Sequence, residues 1–208
     1  HEFKIEKDSI LKNYIIDNKK NSNIKYFYNN IDLSKNSVSE NFILSCGSKF
    51  NKNEIICNLK DEYSSAFVNG IINLENSKHH EIRAQINHLS PNTKSYQLIK
   101  SVLQDKAKGI FQGKIYVDSK AQKTEGYQFS KAILLNEGAE FNGKPELEIY
   151  ADDVKCTHGA TVGQLDNKAL FYLRARGLNR EDARRLLMRA YVGEVIEKIK
   201  DEDIRNKM

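Results

Sequence analysis

The sequence has few cysteines, no long apolar run and no nucleotide-binding loop. Its three cysteines, Cys46, Cys57 and Cys156, are odd in number and include no CxxC pair, which excludes a disulfide framework and fits a reducing compartment. No apolar run reaches the roughly 18 residues that a helix needs to cross a bilayer. The N-terminal His1-Glu2-Phe3 is not the start of a basic-plus-apolar leader, so a cytoplasmic protein is expected. Gly159-Ala160-Thr161-Val162-Gly163 lacks the Lys-Ser/Thr that follows the last glycine of a phosphate loop. The basic segment has no row of aromatics on which bases could stack, which speaks against nucleic acid as a partner.

What is present is a globular composition with an uneven charge. Of the 208 residues 39% are apolar, and the net charge is +5. Between Lys168 and Lys200 there are nine cations and four acids; the rest of the chain is neutral. Seven of the eight arginines lie at or after Arg174. Arginine forks bind carboxylates and phosphates in fixed geometry, so this is either a contact surface or a solvated helix face.

From about Asp8 to Val162 the sequence consists of short apolar runs separated by Asn, Gly, Ser and Lys. Asn41–Leu44, Glu54–Cys57, Ala66–Val68, Gly70–Leu74 and Gly113–Val117 are examples. They are rich in Ile, Val, Phe and Tyr and bounded by turn formers, which predicts strands. Only Tyr96–Gln104 hints at helical spacing. Lys114-Ile115-Tyr116-Val117-Asp118 recurs as Glu148-Ile149-Tyr150-Ala151-Asp152 at an offset of 34, and Gly126 recurs as Gly159 at 33. A recurring strand-corner-strand unit suggests stacked coils with asparagine-rich corners; a β-sandwich also accommodates the strands.

After Val162 the pattern becomes helical. Asp166 caps a helix running through Arg176, and Gly177 stops it. Asn179 caps a second helix, with Glu181 and Asp182 in its first turn. Ala183, Leu186, Leu187, Ala190 and Val195 form an apolar stripe that Ile199 extends, and Leu170, Phe171 and Leu173 supply the buried side of the first helix. The stripe would cover the last rung, whose edge is otherwise unpaired. The expected division is a β-domain over 1–164, with 1–40 only weakly assigned, and a helical domain over 165–208.

The chemistry concentrates in Leu147–Gly163. On a strand, Cys156 and His158 share a face about 7 Å apart. Thiolate and imidazole suit iron, zinc or copper, but two ligands are half of a tetrahedral site. Equally open at this point are a small core cysteine beside a hydrogen-bonded histidine, and a Cys–His nucleophile pair, although side chains two apart on a strand project in parallel. His79-His80, with His88 beyond, reads as a solvated turn. Cys46 and Cys57 read as core or half-buried. Glu146 and Glu148 read as the solvent side of an alternating strand.

The run Lys144–Gly163, containing Cys156-Thr157-His158, closely resembles the signature of the SufB/SufD family of iron–sulfur cluster assembly proteins, the SufD branch in particular. Leu170–Leu178, Ser95–Leu98, Gly109–Ile115 and Ala121–Gly126 resemble it as well, and the likeness runs from about Phe42 to Ile199. Family members are about twice as long, with an N-terminal helical region and more rungs, and residues 1–40 are Asn/Lys-rich and only weakly family-like.

The resemblance implies a mainly β fold, a right-handed parallel β-helix (β-solenoid) with a C-terminal α-helical hairpin domain. It implies a non-catalytic scaffold that pairs with a SufB-like subunit through the β-helix and docks the SufC ABC-type ATPase through its helices. By position, His158 and Cys156 become candidate iron or cluster ligands at the SufB contact, with His158 the stronger and the partner supplying the remaining thiolates. Phe171, Tyr172, Arg174, Arg176, Leu187 and Tyr191 become the SufC surface. No permanent cofactor is implied, only transient iron or an iron–sulfur cluster; a homodimer in isolation and a plastid stroma stay open. The competing expectations are a stand-alone metal- or ligand-binding β-solenoid and an enzyme with Cys156 as nucleophile.

Overall fold

The computed structural model describes residues 1–205. Its strands, in chain order, are β1 (Glu2–Ile5), β2 (Ile10–Asp17), β3 (Ile24–Leu33), β4 (Val38–Ser45), β5 (Phe50–Leu59) and β6 (Ser65–Leu74). They continue with β7 (His79–His88), β8 (Lys94–Leu103), β9 (Lys108–Val117), β10 (Thr124–Leu134), β11 (Glu140–Ile149) and β12 (Val154–Gly163). The helices α1 (Asn167–Ala175), α2 (Arg180–Ile196) and α3 (Glu202–Arg205) follow.

The chain alternates between two parallel six-stranded sheets, one ordered β1-β3-β5-β7-β9-β11 and the other β12-β10-β8-β6-β4-β2. This is a flattened β-solenoid and not a sandwich of antiparallel strands. Corner chemistry sets its pitch. Asp8, Asn36, Tyr63, Asn92 and Lys123 precede successive strands of the second sheet, and Asn76 and Asp105 precede β7 and β9, all with φ between 56° and 63°. Five of these seven are Asn or Asp, the side chains that best tolerate the left-handed backbone. The corners also bond to one another along the stack, as in Asp8 N–H to Lys35 O (3.1 Å) and Asn36 N–H to Glu62 O (3.1 Å).

The solenoid appears as expected, but the repeat register differs. Ile115 pairs with Leu147, not Ile149, and Gly126 pairs with Cys156, not Gly159. The two Ile-Tyr pairs at 115–116 and 149–150 look equivalent in sequence but lie at different heights on their rungs. Ala66–Val68 and Gly70–Leu74 form one strand, and Tyr96–Leu103 is strand as well.

Aliphatic side chains fill the lumen. Ile31, Ile43, Ile55, Ile72, Ile82, Ile86, Ile99, Leu103 and Phe111 form one continuous cluster, and Ile115, Val117, Ala121 and Ala151 form a smaller one towards the last rung. Polar side chains also point inward, and several of them bond to one another. Asp17, fully buried, accepts from Lys25 Nζ (2.7 Å), Ser48 N–H (3.1 Å), Asn51 Nδ2 (2.9 Å) and the Ser48 hydroxyl. Burial alone would raise its pKa, but the bonds from Lys25 and Ser48 outweigh it and hold the carboxyl at about 2. His79 and His80 lie in β7 and not in a turn. His80 is fully buried, with Nδ1 2.8 Å from Ser45 Oγ and Nε2 2.8 Å from Ser48 O.

The helical caps form as predicted. Asp166 accepts from Lys168 N–H at 2.8 Å, Asn179 accepts from Asp182 N–H at 2.9 Å, and Gly177 has φ +96°. The helices, however, do not cover the last rung. Val195 and Ile199 pack on Phe42, Ile71 and Leu98, on the outer face of the second sheet. Leu186 and Ala190 of the predicted stripe are exposed, and so is Phe171, at 73%. The contact instead recruits Val192, Ile196 and Ile204.

One polar contact locks α2 in place. Lys100 of β8 is almost fully buried and bonds Glu194 Oε2 and Tyr191 O, each at 2.6 Å, with its ammonium 4.7 Å from the Tyr191 ring centre. Glu194→Ala leaves a buried ammonium without its counter-charge, so a loss of about 1–3 kcal/mol is expected. Faster amide hydrogen exchange across α2 would report it; unchanged exchange would mean that the apolar contact alone holds the helix.

Candidate functional site

The last rung positions the site. Among the described residues β12 pairs with β10 and β11 with β9 and with no further strand, so each sheet ends there on a ten-residue strand with one free edge. Pro145, which has no N–H to give a ladder, sits in β11 where an edge tolerates it. Around these edges Ile149, Tyr150 and Val162 are 37%, 59% and 54% exposed. Exposed apolar groups beside unpaired strand edges are the features that neighbouring chains pair with.

Register assigns the facing of each residue on β12. Cys156 lies beside Gly126, and His158 beside Gln128. Gly126 and Gln128 are inward-facing and buried, so Cys156 and His158 share the lumen face of a rung on which no described strand stacks. Cys156 packs against the small buried cluster of Ile115, Val117, Ala121 and Ala151. A Cβ at position 126 would stand 3.3 Å from its sulfur, so glycine there makes room for the thiol. Cys156 is half-buried, and burial raises its thiol pKa against a smaller opposing hydrogen bond from Gly126. This removes the depressed pKa that a nucleophile needs. Iodoacetamide should therefore modify Cys156 at pH 7 more slowly than a free thiol; rapid alkylation would restore the enzyme reading. His158 is exposed.

Among the described residues no three His, Cys, Asp or Glu side chains gather closely enough to hold a metal ion. The Cys156–His158 pair thus stays a partial donor set, with open space on its outer side. The other cysteines are removed from it: Cys57 is fully buried, with its thiol pushed up to about 12 by desolvation, and Cys46 is half-buried at the opposite end of the solenoid beside Asp17. His88 is buried between Thr93 Oγ1 (2.7 Å) and Ser95 Oγ (2.8 Å). Glu146 and Glu148 face outward and pair with Lys144 and Lys114.

The second group of predicted residues is divided by the fold. Phe171 and Tyr172 on α1 are 73% and 57% exposed, and the Arg176 guanidinium stands 5.0 Å from the Tyr172 ring centre. Arg174 is exposed beside them. Leu187 is half-buried, and Tyr191 turns towards the sheet beneath Lys100.

A family model described as "SUF system FeS cluster assembly, SufBD core domain" matches residues 1–191. The chain belongs to the SufBD core family. The match begins at residue 1, so the weakly assigned first forty residues are part of it, and they supply β1 to β3 and the start of β4. Escherichia coli (strain K12) iron–sulfur cluster assembly protein SufD is 32% identical over 183 residues, 88% of this chain and 43% of that protein. An iron–sulfur cluster assembly SufBD family protein of Synechocystis is 45% identical over 114 residues, 55% of this chain and 25% of that protein. The chloroplastic protein ABCI7 of Arabidopsis thaliana is 41% identical over 118 residues, 56% of this chain and 25% of that protein. The chain thus spans less than half the length of each of these relatives. No described helix is long and apolar enough to cross a membrane.

Proposed function

We propose that this SufBD-family chain is a SufD-like, non-catalytic scaffold subunit for iron–sulfur cluster assembly. Its β-domain, residues 1–164, pairs with a SufB-like subunit through the last rung. Its helical part, residues 165–208, docks a SufC-type ATPase; Asn206, Lys207 and Met208 of that division lie outside the described residues. Iron or a nascent cluster is cargo, held transiently by His158 and Cys156 together with thiolates of the partner. The cytoplasm, or a plastid stroma as the name of the Arabidopsis relative suggests, is the compartment.

The observation that carries this reading is a half-complete pair of soft donors on a rung whose two strand edges and apolar flanks are free. Such a rung can continue its hydrogen-bond ladder into a second chain, which would bring the missing ligands to the open side of Cys156 and His158. The ATPase surface is argued from Phe171, Tyr172, Arg174 and Arg176, which present an exposed aromatic and cationic patch on α1, whereas Leu187 is half-buried on α2 and Tyr191 faces the sheet. Aromatics and arginines of this kind anchor interfaces.

Two pairs of substitutions separate the surfaces. Ile149→Asp with Val162→Asp should abolish co-purification with a SufB-like subunit and leave the SufC-type ATPase bound. Phe171→Ala with Arg174→Glu should do the reverse. Retention of both partners by both double variants would contradict the assignment. Metal taken up by the isolated chain at full stoichiometry would favour the stand-alone solenoid instead.

A further inference from the structure

We infer that Gln128 is the positioning residue for His158, accepting a hydrogen bond from the imidazole N–H that does not face the metal. The inference rests on the reading of His158 as a ligand.

Three features of the lumen point to it. Gln128 and His158 are register partners on neighbouring strands and share the inward face, so their side chains are adjacent along the stack. Gln128 is fully buried and held in one orientation: its Nε2 donates to Gly113 O at 3.2 Å. Glycine at position 113 leaves the room this orientation uses, because a Cβ there would displace the Gln128 amide. With the amide nitrogen so committed, Gln128 Oε1 is left as a buried acceptor with no partner.

A buried, unpaired carbonyl costs about 1–3 kcal/mol, and the donors within reach along the ladder are few. On one side stands Gln97, whose Nε2 is turned to Lys114 O at 3.5 Å and whose own Oε1 is also unpartnered. On the other side stands His158, the register partner of Gln128 on the exposed last rung and the imidazole nearest along that ladder. Metal-bound imidazoles commonly donate their second N–H to a carbonyl or carboxylate, which fixes the tautomer and the ring plane. Gln128 supplies that acceptor from the protein side, so the other ring nitrogen is presented outward, across the open rung. Gln128 touches no metal itself; it acts through His158.

The test uses the full chain in complex with its SufB-like partner, with ferrous iron as the affinity probe and zinc as a diamagnetic substitute for NMR. Gln128→Met keeps the length of the side chain and removes the acceptor. It should weaken iron binding by about 10–100-fold and shift the 15N–1H signal of the zinc-bound His158 ring out of its hydrogen-bonded position. Gln128→Glu, which keeps an acceptor but gives up the bond to Gly113, should restore both readouts, whereas a merely structural role would leave it as impaired as the methionine variant. If His158→Ala weakens iron binding while Gln128→Met leaves the affinity and the ring signal unchanged, the positioning role is overturned and the ligand role stands. If His158→Ala itself has no effect, both are overturned.

Discussion

Between pH 6.5 and pH 3 the chain should lose roughly 3–6 kcal/mol of stability through His88 alone. Burial holds this imidazole neutral, with a pKa of about 3, whereas in the unfolded chain it titrates near 6.5. Below pH 6.5 the unfolded state therefore binds a proton that the folded state refuses, and each further pH unit removes about 1.4 kcal/mol. The stability is fully present above the unfolded pKa and is lost as pH falls towards the folded one. His80, whose pKa burial also lowers, adds to the loss in the same direction. Asp17 adds to it lower down: its carboxyl titrates at about 2 when folded, so its contribution is present above pH 4 and fades below. Urea midpoints of the wild-type chain and of His88→Gln, measured from pH 7 to pH 4, isolate the term. The gap between the two should narrow by about 3 kcal/mol; a gap independent of pH would show that His88 is not held neutral.

Phe111→Ala should destabilise the solenoid by about 3–5 kcal/mol. Phe111 is fully buried in the main aliphatic cluster. Its register neighbours are Ile82 on one side and Gly143 on the other, so the ring is enclosed between two rungs. Backbone ladders on both sides hold the rungs at fixed spacing, which prevents collapse into the vacated volume. Thermal or urea unfolding reads the effect. A loss under about 1 kcal/mol would mean that the lumen can relax around the gap.

The strands and corners were legible because their causes are local. Ile, Val, Phe and Tyr between Asn-rich corners specify extended segments, and Asn36, Asn76 and Asn92 stand at left-handed turns. Asp166, Gly177 and Asn179 declared the helix boundaries for the same reason. The parts that were not legible depend on contacts between distant residues. The helical stripe showed an apolar face but not its target, the outer face of the second sheet with Phe42, Ile71 and Leu98. The buried histidines were missed because His79-His80 resembles a polar turn until the Ser45 and Ser48 partners, more than thirty residues away, are in place. Gln97 and Gln128 were missed because polar side chains on the inward positions reverse the alternation that marks a lumen face.

Cys156 and His158 show the same division. Their spacing gave two donors on one strand face, while the match to the SufBD core places the whole chain in a family of cluster assembly proteins. Only the register showed that no strand among the described residues stacks above them. Gln128 became visible as their neighbour through that register and through its unpaired carbonyl.

Iron and acid-labile sulfide per complex decide whether the last rung holds cluster cargo. Measured after anaerobic loading of the chain assembled with its SufB-like and SufC-type partners, His158→Ala should leave the assembly intact on size exclusion and lower both iron and sulfide at least tenfold, because losing only an outer-shell partner of a ligand already costs about 10–100-fold in affinity. Wild-type iron and sulfide in an intact His158→Ala complex would contradict the account.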